Sequence, residues 1–398
     1  MRAPPPCRAA DVLAGERGAG ILGPQRPPGE RTEDRGRVAK AAANGAGRDP
    51  VVGEESARPP AVRRKPSIND VARGAGVSYQ TVSRVITGSP LVSATTRARV
   101  LEVIAEVGYR RNKAATALVT NRSTTIGIVT DDSPRYGPVA TLLAVESAAR
   151  AAGYGSAVVG VKEPYDQSVP EAMGSLGDAG VDGIIVIAPL RTMAAAVRQV
   201  HTDVPVEMIA AGVSSSAHEH LFTFSENQEL GARMATQHLI DLGHRDIAHV
   251  GGSMAWFDGR VRKQGWESAL REAGLPQGFY AEGDWSPLWA YHLGLRLVRE
   301  GVPEAIFAAS DHTALGLIRA FVENGIRVPE DVSVVGFDDI EGCDVFLPPL
   351  TTVRQDFPAL GQASIAVLLG SIEGVEVDRT PIPPTLVVRN STTRHRGR

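Results

Sequence analysis

With 398 residues, of which 43% are hydrophobic and 22% charged, the chain has the length of two or three domains and the composition of a globular protein. Two distant cysteines exclude a disulfide framework, no apolar run approaches the ~20 residues of a membrane span, and the N-terminus lacks the apolar centre of a secretory signal, so we expect a cytoplasmic location. The net charge of −3 is uneven, because residues 1–65 carry +5 and residues 66–120 carry +4, which leaves −12 on the remainder and predicts contact with a polyanion at the N-terminal end.

Residues 1–65 hold nine of the 27 prolines and many glycine, alanine and arginine residues, without helical or strand periodicity. Such a segment cannot bury enough apolar surface to offset its ordering entropy, so we predict that it is disordered. It is either a flexible basic tail that adds non-specific affinity for nucleic acid, or the product of a translation start assigned too far upstream.

Residues 66–110 predict three short helices. Hydroxyl N-caps and the glycines that end helices alternate along this segment, at Ser67, Gly76, Ser78, Gly88, Ser93 and Gly108. A helix, a glycine turn and a second helix have the spacing of a helix-turn-helix motif. Apolar side chains can close one small core between the helices, formed by Val71, Val77, Val82, Val85 and Val100.

Beyond residue 121, strand-like runs alternate with helical stretches. The strand-like runs are residues 125–130, 157–161, 183–188, 206–210, 247–251, 305–309 and 332–337, with a last one near 385–389. Strands that alternate with helices predict parallel sheets covered on both faces, and about 270 residues are too many for one such sheet. We therefore predict an α/β fold of two lobes, with a ligand site in the cleft between them.

Four stretches resemble one known family. They are VSYQTVSRV at residues 77–85, GDWS at 283–286, DVSVVGFDD at 331–339 and PPLTTVRQDF at 348–357. In this order and spacing they resemble the lactose repressor (LacI) family, its namesake in particular, from about Ser67 to Arg389. The resemblance implies a small all-α headpiece at 66–110, a hinge helix and linker at 111–122, and a two-lobed, periplasmic-binding-protein-like domain for effector binding and dimerisation at 123–393.

The resemblance also implies that the second helix reads double-stranded operator DNA. Glutamine can bond adenine and arginine can bond guanine through two hydrogen bonds in the major groove, so Tyr79, Gln80 and Arg84 are the expected base readers. Three hydroxyl side chains nearby either contact phosphates or cap and fill the helix; they are Ser78, Thr81 and Ser83.

The linker is expected to contact the same DNA. Asn112 opens the segment that matches the family's hinge helix, and Ala115 is small enough for close passage against the partner hinge or the groove. Leu118 matches the position that wedges into the minor groove, although it is also an ordinary apolar linker residue in the simpler interpretation. A short isolated helix is marginal in water, so we expect this one to fold only when two copies meet on DNA.

The family's sugar site matches six positions, which are Arg262, Trp285, Ser310, Asp311, Asp338 and Phe357. Asp338 would accept hydrogen bonds from adjacent hydroxyls, Arg262 would donate, and Trp285 would stack on the apolar ring face. Each has an alternative role: Trp285 in the core, Asp338 as the cap of a turn, and Arg262 in an ion pair with Asp258 or Glu267.

Two departures from the family pattern leave the exact sugar open. Ser310 stands where sugar-binding members often have asparagine, and Ala210 stands where the namesake has a sugar-binding aspartate. Losing one acceptor and shortening another changes which hydroxyls are recognised. A galactoside fits, and a nucleobase fits less well because Arg262 and Trp285 follow the sugar-binding type.

The implied function is a homodimeric repressor that binds a palindromic operator and is released by a small sugar. A co-repressor-dependent regulator or an activator of the same family is the alternative that the sequence leaves open. A sugar-binding transport protein is disfavoured by the headpiece, and an α/β enzyme by the lack of a nucleophile–base constellation. No cofactor or metal is predicted, since His218-Glu219-His220 binds a stray metal at best and is otherwise a solvated loop.

Overall fold

The computed structural model describes residues 66–109, 122–213 and 221–395. The first range is a three-helix unit of α1 (Ile68–Ala75), α2 (Tyr79–Ile86) and α3 (Ala94–Val107). The hydroxyls of Ser78 and Ser93 accept hydrogen bonds from the amides of Thr81 and Thr96, at 3.2 and 3.3 Å, so both serines cap their helices as predicted.

Valines from all three helices close the core of this unit. The buried residues are Val71, Ala72, Ala75, Val82, Val85, Val100 and Val103, and Val77 is half-buried beside them. A Cβ atom on Gly74 would lie 2.8 Å from a methyl group of Val103, so glycine permits the close approach of α1 to α3. The predicted helix-turn-helix is confirmed.

The second part of the fold is an N-terminal lobe built on a parallel sheet in the order β2-β1-β3-β4-β5. Its elements are β1 (Thr125–Asp131), α4 (Tyr136–Ala151), β2 (Gly155–Val161), α5 (Tyr165–Asp178), β3 (Gly183–Ile187), α6 (Arg191–Val197), β4 (Val206–Ile209) and β5 (Leu221–Phe224). The central strand β3 is buried along its whole length, because helices cover both faces of the sheet.

The third part is a C-terminal lobe with a six-stranded sheet in the order β11-β10-β9-β8-β6-β7. Its elements are α7 (Gln228–Asp241), β6 (Ile247–Gly251), α8 (Phe257–Glu272), β7 (Tyr280–Glu282), α9 (Pro287–Glu300), β8 (Ala305–Ala308), α10 (Asp311–Glu323), β9 (Ser333–Asp338), β10 (Thr351–Arg354) and β11 (Thr385–Val387). All neighbouring strands run parallel except β10 and β11, so the prediction of parallel sheets holds for the rest.

The chain passes between the two lobes three times. The crossing segments are residues 225–227, 355–356 and 374–384, because α11 (Phe357–Glu373) returns to the N-terminal lobe before β11 joins the other sheet. Two of these segments pair with each other: the Asn227 amide donates to the Ile382 carbonyl at 2.8 Å, and the Ile382 amide donates to the Ser225 carbonyl at 3.2 Å. The crossing segments therefore form a hydrogen-bonded band between the lobes.

Within the described ranges, the structure holds no helix that is both long and apolar enough to cross a membrane. The two-lobed α/β architecture with a separate helical unit agrees with the fold class predicted from the sequence. The ends of β1, β3, β6, β8 and β9 point their following segments toward the gap between the lobes, which is where parallel sheets bind ligands.

Candidate functional site

The exposed face of α2 carries the side chains expected to read DNA bases. Tyr79 is 52% exposed, and Gln80 and Arg84 are also exposed, while Val82 and Val85 on the opposite face are buried. A helix held from behind in this way presents long polar side chains on its first two turns, which is what entry into a major groove requires.

The hydroxyl side chains of α2 lie at its start and along its flank. Ser78 is the N-cap, and its hydroxyl also lies 3.0 Å from that of Thr81, so capping engages both. Ser83 is half-buried. Asn112, Ala115 and Leu118, the predicted contacts of the linker, lie outside the residues that the structure describes.

Two connected chambers lie between the lobes. The first has a volume of about 600 Å³ and is lined by Arg135, Tyr136, Trp256, Arg262, Trp285, Ser310, His312 and Asp338, among others. The second, about 470 Å³, is lined by Thr141, Ile209, Ala210, Glu226, Gln228, Gln355 and Phe357, among others. Gly137, Pro138 and Asp258 line both chambers, so the two form one continuous cleft.

Four buried polar side chains form a closed ring of hydrogen bonds at the base of the cleft. Arg262 donates from Nε to Gln228 at 2.9 Å, and Gln228 donates to Gln355 at 2.6 Å. Gln355 donates to Asp338 Oδ1 at 2.6 Å, and Arg262 Nη2 lies 3.4 Å from the same oxygen. Arg262 Nη1 also donates to the carbonyl of Ala309, so the guanidinium is held in one orientation.

The carboxyl group of Asp338 lies in a buried environment on a strained backbone. Burial raises the pKa of Asp338 to about 6, while Arg262 and the amide of Gln355 oppose that shift. Its backbone has φ 107°, in the left-handed region that non-glycine residues rarely adopt. Such strain at the end of a strand is common where a side chain is aimed into a functional site.

Trp285 is fixed as a plate on one wall of the first chamber. Its backbone has φ 68°, and a Cβ atom on Gly252 would lie 2.1 Å from its ring, so the indole rests directly on that glycine. The ring of Trp256 lies 5.7 Å away, and the Trp285 Nε1 atom is buried without a hydrogen-bond partner. The plate therefore offers a stacking face and one unused donor.

The helix-turn-helix and the C-terminal part of the chain both match known families. Residues 67–112 match the family described as bacterial regulatory proteins, lacI family, and residues 236–392 match a periplasmic binding protein-like domain. The lactose operon repressor of Escherichia coli (strain K12) is 35% identical over 329 residues, covering 82% of this chain and 90% of the relative.

The chain belongs to the LacI family. The predicted family is thereby confirmed, and with it the role of a transcriptional regulator. The repressor PurR of Actinobacillus pleuropneumoniae serotype 3 (strain JL03) is 32% identical, covering 81% of this chain and 94% of the relative.

Solved structures from the LacI family support the same assignment over the whole two-lobed domain and headpiece. The crystal structure of the lac repressor dimer bound to operator and the anti-inducer ONPF has 35% identity and a TM-score of 0.72, covering 83% of this chain and 100% of that one. The regulator CelR in complex with cellobiose has 29% identity and a TM-score of 0.59, covering 82% and 99%.

Not every residue that matches the LacI-family sugar site faces the cleft. Asp311 is fully buried, and its carboxylate accepts from the Ile340 amide at 2.9 Å and from the hydroxyl of Thr352, which ties α10 to β9 and β10. Burial raises the pKa of Asp311 to about 7. Its contacts are those of a residue that holds the C-terminal lobe together.

Ser310 and Phe357 sit at the starts of helices that border the cleft. The Ser310 hydroxyl accepts from the Thr313 amide at 3.2 Å, so it caps α10 while lining the first chamber. Phe357 opens α11 and meets the ring of Tyr136 edge-on at 5.8 Å between centroids, on the wall of the second chamber.

Several cleft residues escaped the sequence analysis, and three of them are polar side chains in or beside the crossing segments. Gln228 and Gln355 belong to the ring around Arg262, and Glu226 lines the second chamber. All three lie in or beside crossing segments, where no periodic pattern marks a side chain as inward-facing. Gln355 could have been noticed because it lies within the family-like stretch PPLTTVRQDF. No local sequence feature distinguished Gln228 or Glu226.

One cluster in the described part of the chain has donors suited to a metal ion. His244, Glu304 and His395 have donor atoms within 4.8 Å of one another, at the amino ends of β6 and β8 and thus at the opposite end of the lobe from the cleft. His244 Nε2 is already bonded to the Thr393 carbonyl at 2.9 Å, and Glu304 accepts from two backbone amides. The His244 bond anchors the last described residues to the C-terminal lobe, and the two bonds to Glu304 tie the segment before β6 to the start of β8.

Proposed function

We propose that this LacI-family regulator represses transcription by binding a palindromic operator as a homodimer, and that a small sugar bound between its lobes releases it. The proposed division is a DNA-binding headpiece at residues 66–110, a hinge helix at 111–122 and an effector domain at 123–393. The observation that carries the proposal is the face of α2, where Tyr79, Gln80 and Arg84 stand exposed above buried valines.

The ring around Arg262 supports a polyhydroxylated effector. A guanidinium, two carboxamides and a carboxylate alternate donors and acceptors at the base of a cleft, which is the pattern that adjacent hydroxyls can join. Trp285 supplies the stacking face that the apolar side of a sugar ring needs. The relatives named above include a cellobiose complex and the lactose operon repressor, which bear on the same ligand class.

Exposed apolar side chains on both lobes support a dimer. On the N-terminal lobe Val139 and Leu143 of α4 are exposed, Leu143 by 60%. On the C-terminal lobe the exposed apolar residues are Leu288, Leu315, Val322, Val345 and Leu347. Apolar surface on both halves of one domain is suited to an isologous interface, which pairs two headpieces for a two-fold symmetric operator.

Release requires that the sugar bind one arrangement of the lobes more tightly than another. The ring spans the crossing segments, so ligand contacts with Asp338 and Arg262 act where the lobes meet. A change in lobe angle would then separate the paired hinge helices and weaken operator binding.

The test begins with selection of operators from a random double-stranded library by the full chain. Fluorescence anisotropy on the selected site, with a panel of mono- and disaccharides, then measures the response. We expect a palindromic consensus and a sugar that lowers operator affinity at least tenfold. A sugar that raises the affinity would instead support the co-repressor alternative, and the absence of any selected sequence would reject the DNA-binding proposal.

A further inference from the structure

Glu226 is the one acidic side chain of the second chamber whose two carboxylate oxygens are both buried without a hydrogen-bond partner. It is 4% exposed and lies in the first crossing segment, between β5 and α7. An ionised carboxylate removed from water is costly unless a cation or donors replace its hydration. A positively charged or hydrogen-donating group that entered the chamber would therefore stabilise the Glu226 carboxylate.

The charged groups that face Glu226 supply neither a free cation nor a hydrogen-bond donor to its carboxylate. The carboxylates of Asp258 and Asp338 lie on the same cleft, and Asp356 stands exposed at its edge. Arg262 is the nearby cation, but its guanidinium is bonded to Gln228, to a backbone carbonyl and to Asp338. Three acidic side chains of the cleft thus lie near one arginine, and Glu226 is the one left without a bonded partner.

The wall of the second chamber that follows strands β3 and β4 is apolar. Ile187, Pro189, Ile209, Ala210 and Ala211 line the side formed by the N-terminal lobe. The side chain of Ala210 is a methyl group, so it offers no hydrogen-bond acceptor on this wall. Glu226 and Asp258 are the acidic side chains that line the second chamber, and Asp258 also lines the first, together with Gly137 and Pro138.

We propose that the effector is an amino sugar with a free amine, whose ring occupies the first chamber against Trp285 while its ammonium group enters the second chamber and pairs with Glu226. Asp258 flanks the ammonium group from α8, at the junction of the two chambers. This inference rests on the proposed effector cleft and adds the chemical class of its ligand.

The protonation state of Glu226 supports its pairing with an ammonium group and makes the binding measurable as release of a proton. Burial raises the pKa of Glu226 to about 8, with Asp258, Asp338 and Asp356 adding to the shift and Arg262 opposing it. The empty chamber therefore holds a neutral carboxyl group at pH 7. When an ammonium group binds, the carboxyl proton passes to solvent and one ion pair forms, so affinity rises about tenfold between pH 6 and pH 7 while the amine stays protonated.

The experiment is isothermal titration calorimetry on the full chain with glucosamine and galactosamine, each beside its N-acetyl derivative and its parent sugar. We expect at least one free amine to bind ten or more times tighter than both neutral counterparts. Repeating the titration in two buffers of different ionisation enthalpy should show release of close to one proton per site.

Variants locate the effect. Glu226→Gln keeps the side-chain shape and should remove the preference for the amine and the proton release. Asp356→Asn, which keeps a side chain able to cap α11, is the matched control and should preserve the preference. Should Glu226→Gln unfold, Asp258→Asn replaces it and is expected to reduce the preference.

The outcomes separate this inference from the proposed function. Neutral sugars that bind as tightly as the amines, or an amine preference that survives Glu226→Gln, would overturn the inference and leave the sugar-responsive repressor intact. Absence of operator binding would reject the proposed function, whereas amine binding with proton release would still stand on its own.

Discussion

Gln228 donates a 2.6 Å hydrogen bond to Gln355, although 127 positions separate them in the sequence. One residue opens α7 just after the first crossing segment, and the other belongs to the second. Through this bond the positions of Arg262 and Asp338 are coupled, because each glutamine also holds one of them. The orientations of Arg262 and Asp338 therefore depend on the two glutamines.

Gln355→Ala should open the ring. The amide of Gln228 and one oxygen of Asp338 would lose buried partners, which we expect to cost about 1–3 kcal/mol of the free energy of unfolding and to weaken sugar binding. Thermal melting and sugar titration check the two effects. Gln237→Ala, on the exposed face of α7, is the control and should change stability by no more than about 0.5 kcal/mol. Equal effects from the two variants would contradict the ring's role.

Arg84→Ala should reduce operator specificity, since loss of a bidentate base contact costs about 1–3 kcal/mol of discrimination. Binding to unrelated DNA, which depends on phosphates and salt, should change little. Competition binding between the selected operator and a scrambled duplex measures the ratio. Arg99→Ala, an exposed arginine on α3, provides a matched loss of charge and should leave the specificity ratio unchanged. An unaltered ratio for Arg84→Ala would refute the assignment of a base contact.

Glu226 should make the stability of the unliganded protein depend on pH. Its pKa is raised in the folded state to about 8 from 4.5, so its contribution is fully present below the unfolded value and is lost as pH rises toward 8. Glu226→Gln should thus match the wild type near pH 4.5 and exceed it at pH 8 by up to about 5 kcal/mol. Urea denaturation at several pH values tests this, with Glu229→Gln, an exposed acid on α7, as the control that should leave the pH profile unchanged.

Gly252→Ala should displace the Trp285 plate, because the new methyl group would lie 2.1 Å from the indole ring. We expect sugar affinity to fall at least tenfold and the emission of the protein to shift as the indole moves into water. Gly177→Ala, in α5 where a Cβ atom meets nothing within 4 Å, should leave both readings unchanged. Wild-type affinity in Gly252→Ala would show that stacking on Trp285 is dispensable.

Ser310→Asn should change sugar preference without unfolding α10. Asparagine caps helices as well as serine does, and its carboxamide extends further into the first chamber. We expect a change of several-fold in the ratio of affinities for two sugars that differ at one hydroxyl. Ser310→Ala separates the roles, since it removes the cap at a cost of about 1 kcal/mol and adds no new donor. Identical preferences in all three proteins would remove Ser310 from the site.

Local signals were sufficient for the headpiece and for most of the two lobes. Serine caps and glycine ends lie within a few residues of the helices they bound, so α1, α2 and α3 could be delimited from sequence. The strands β5, β7 and β10 were not predicted, and β10 includes the polar pair Thr351 and Thr352, which no apolar run marks as buried. Burial of those hydroxyls depends on contacts with α10 and the chain's end, which no local pattern encodes.

The candidate site, too, could be predicted only in part from the sequence. Resemblance pointed to Arg262, Trp285 and Asp338, and the structure brings all three to one chamber. It could not indicate that Asp311 turns into the lobe, which depends on contacts with Ile340 and Thr352. Nor could it indicate that Glu226 and Gln228 face the cleft, since they lie in or beside the paired crossing segments. Long-range pairing decides which polar residues are available to a ligand.

The pairing of Asn227 with Ile382 has a mechanical consequence. A segment that joins two lobes lies near the axis about which they can rotate. A small displacement of an atom near that axis therefore corresponds to a large change in the angle between the lobes. Glu226 adjoins that pairing. We therefore expect a ligand that pairs with the Glu226 carboxylate to act close to this axis, where ångström-scale differences between ligands would change the angle between the lobes most.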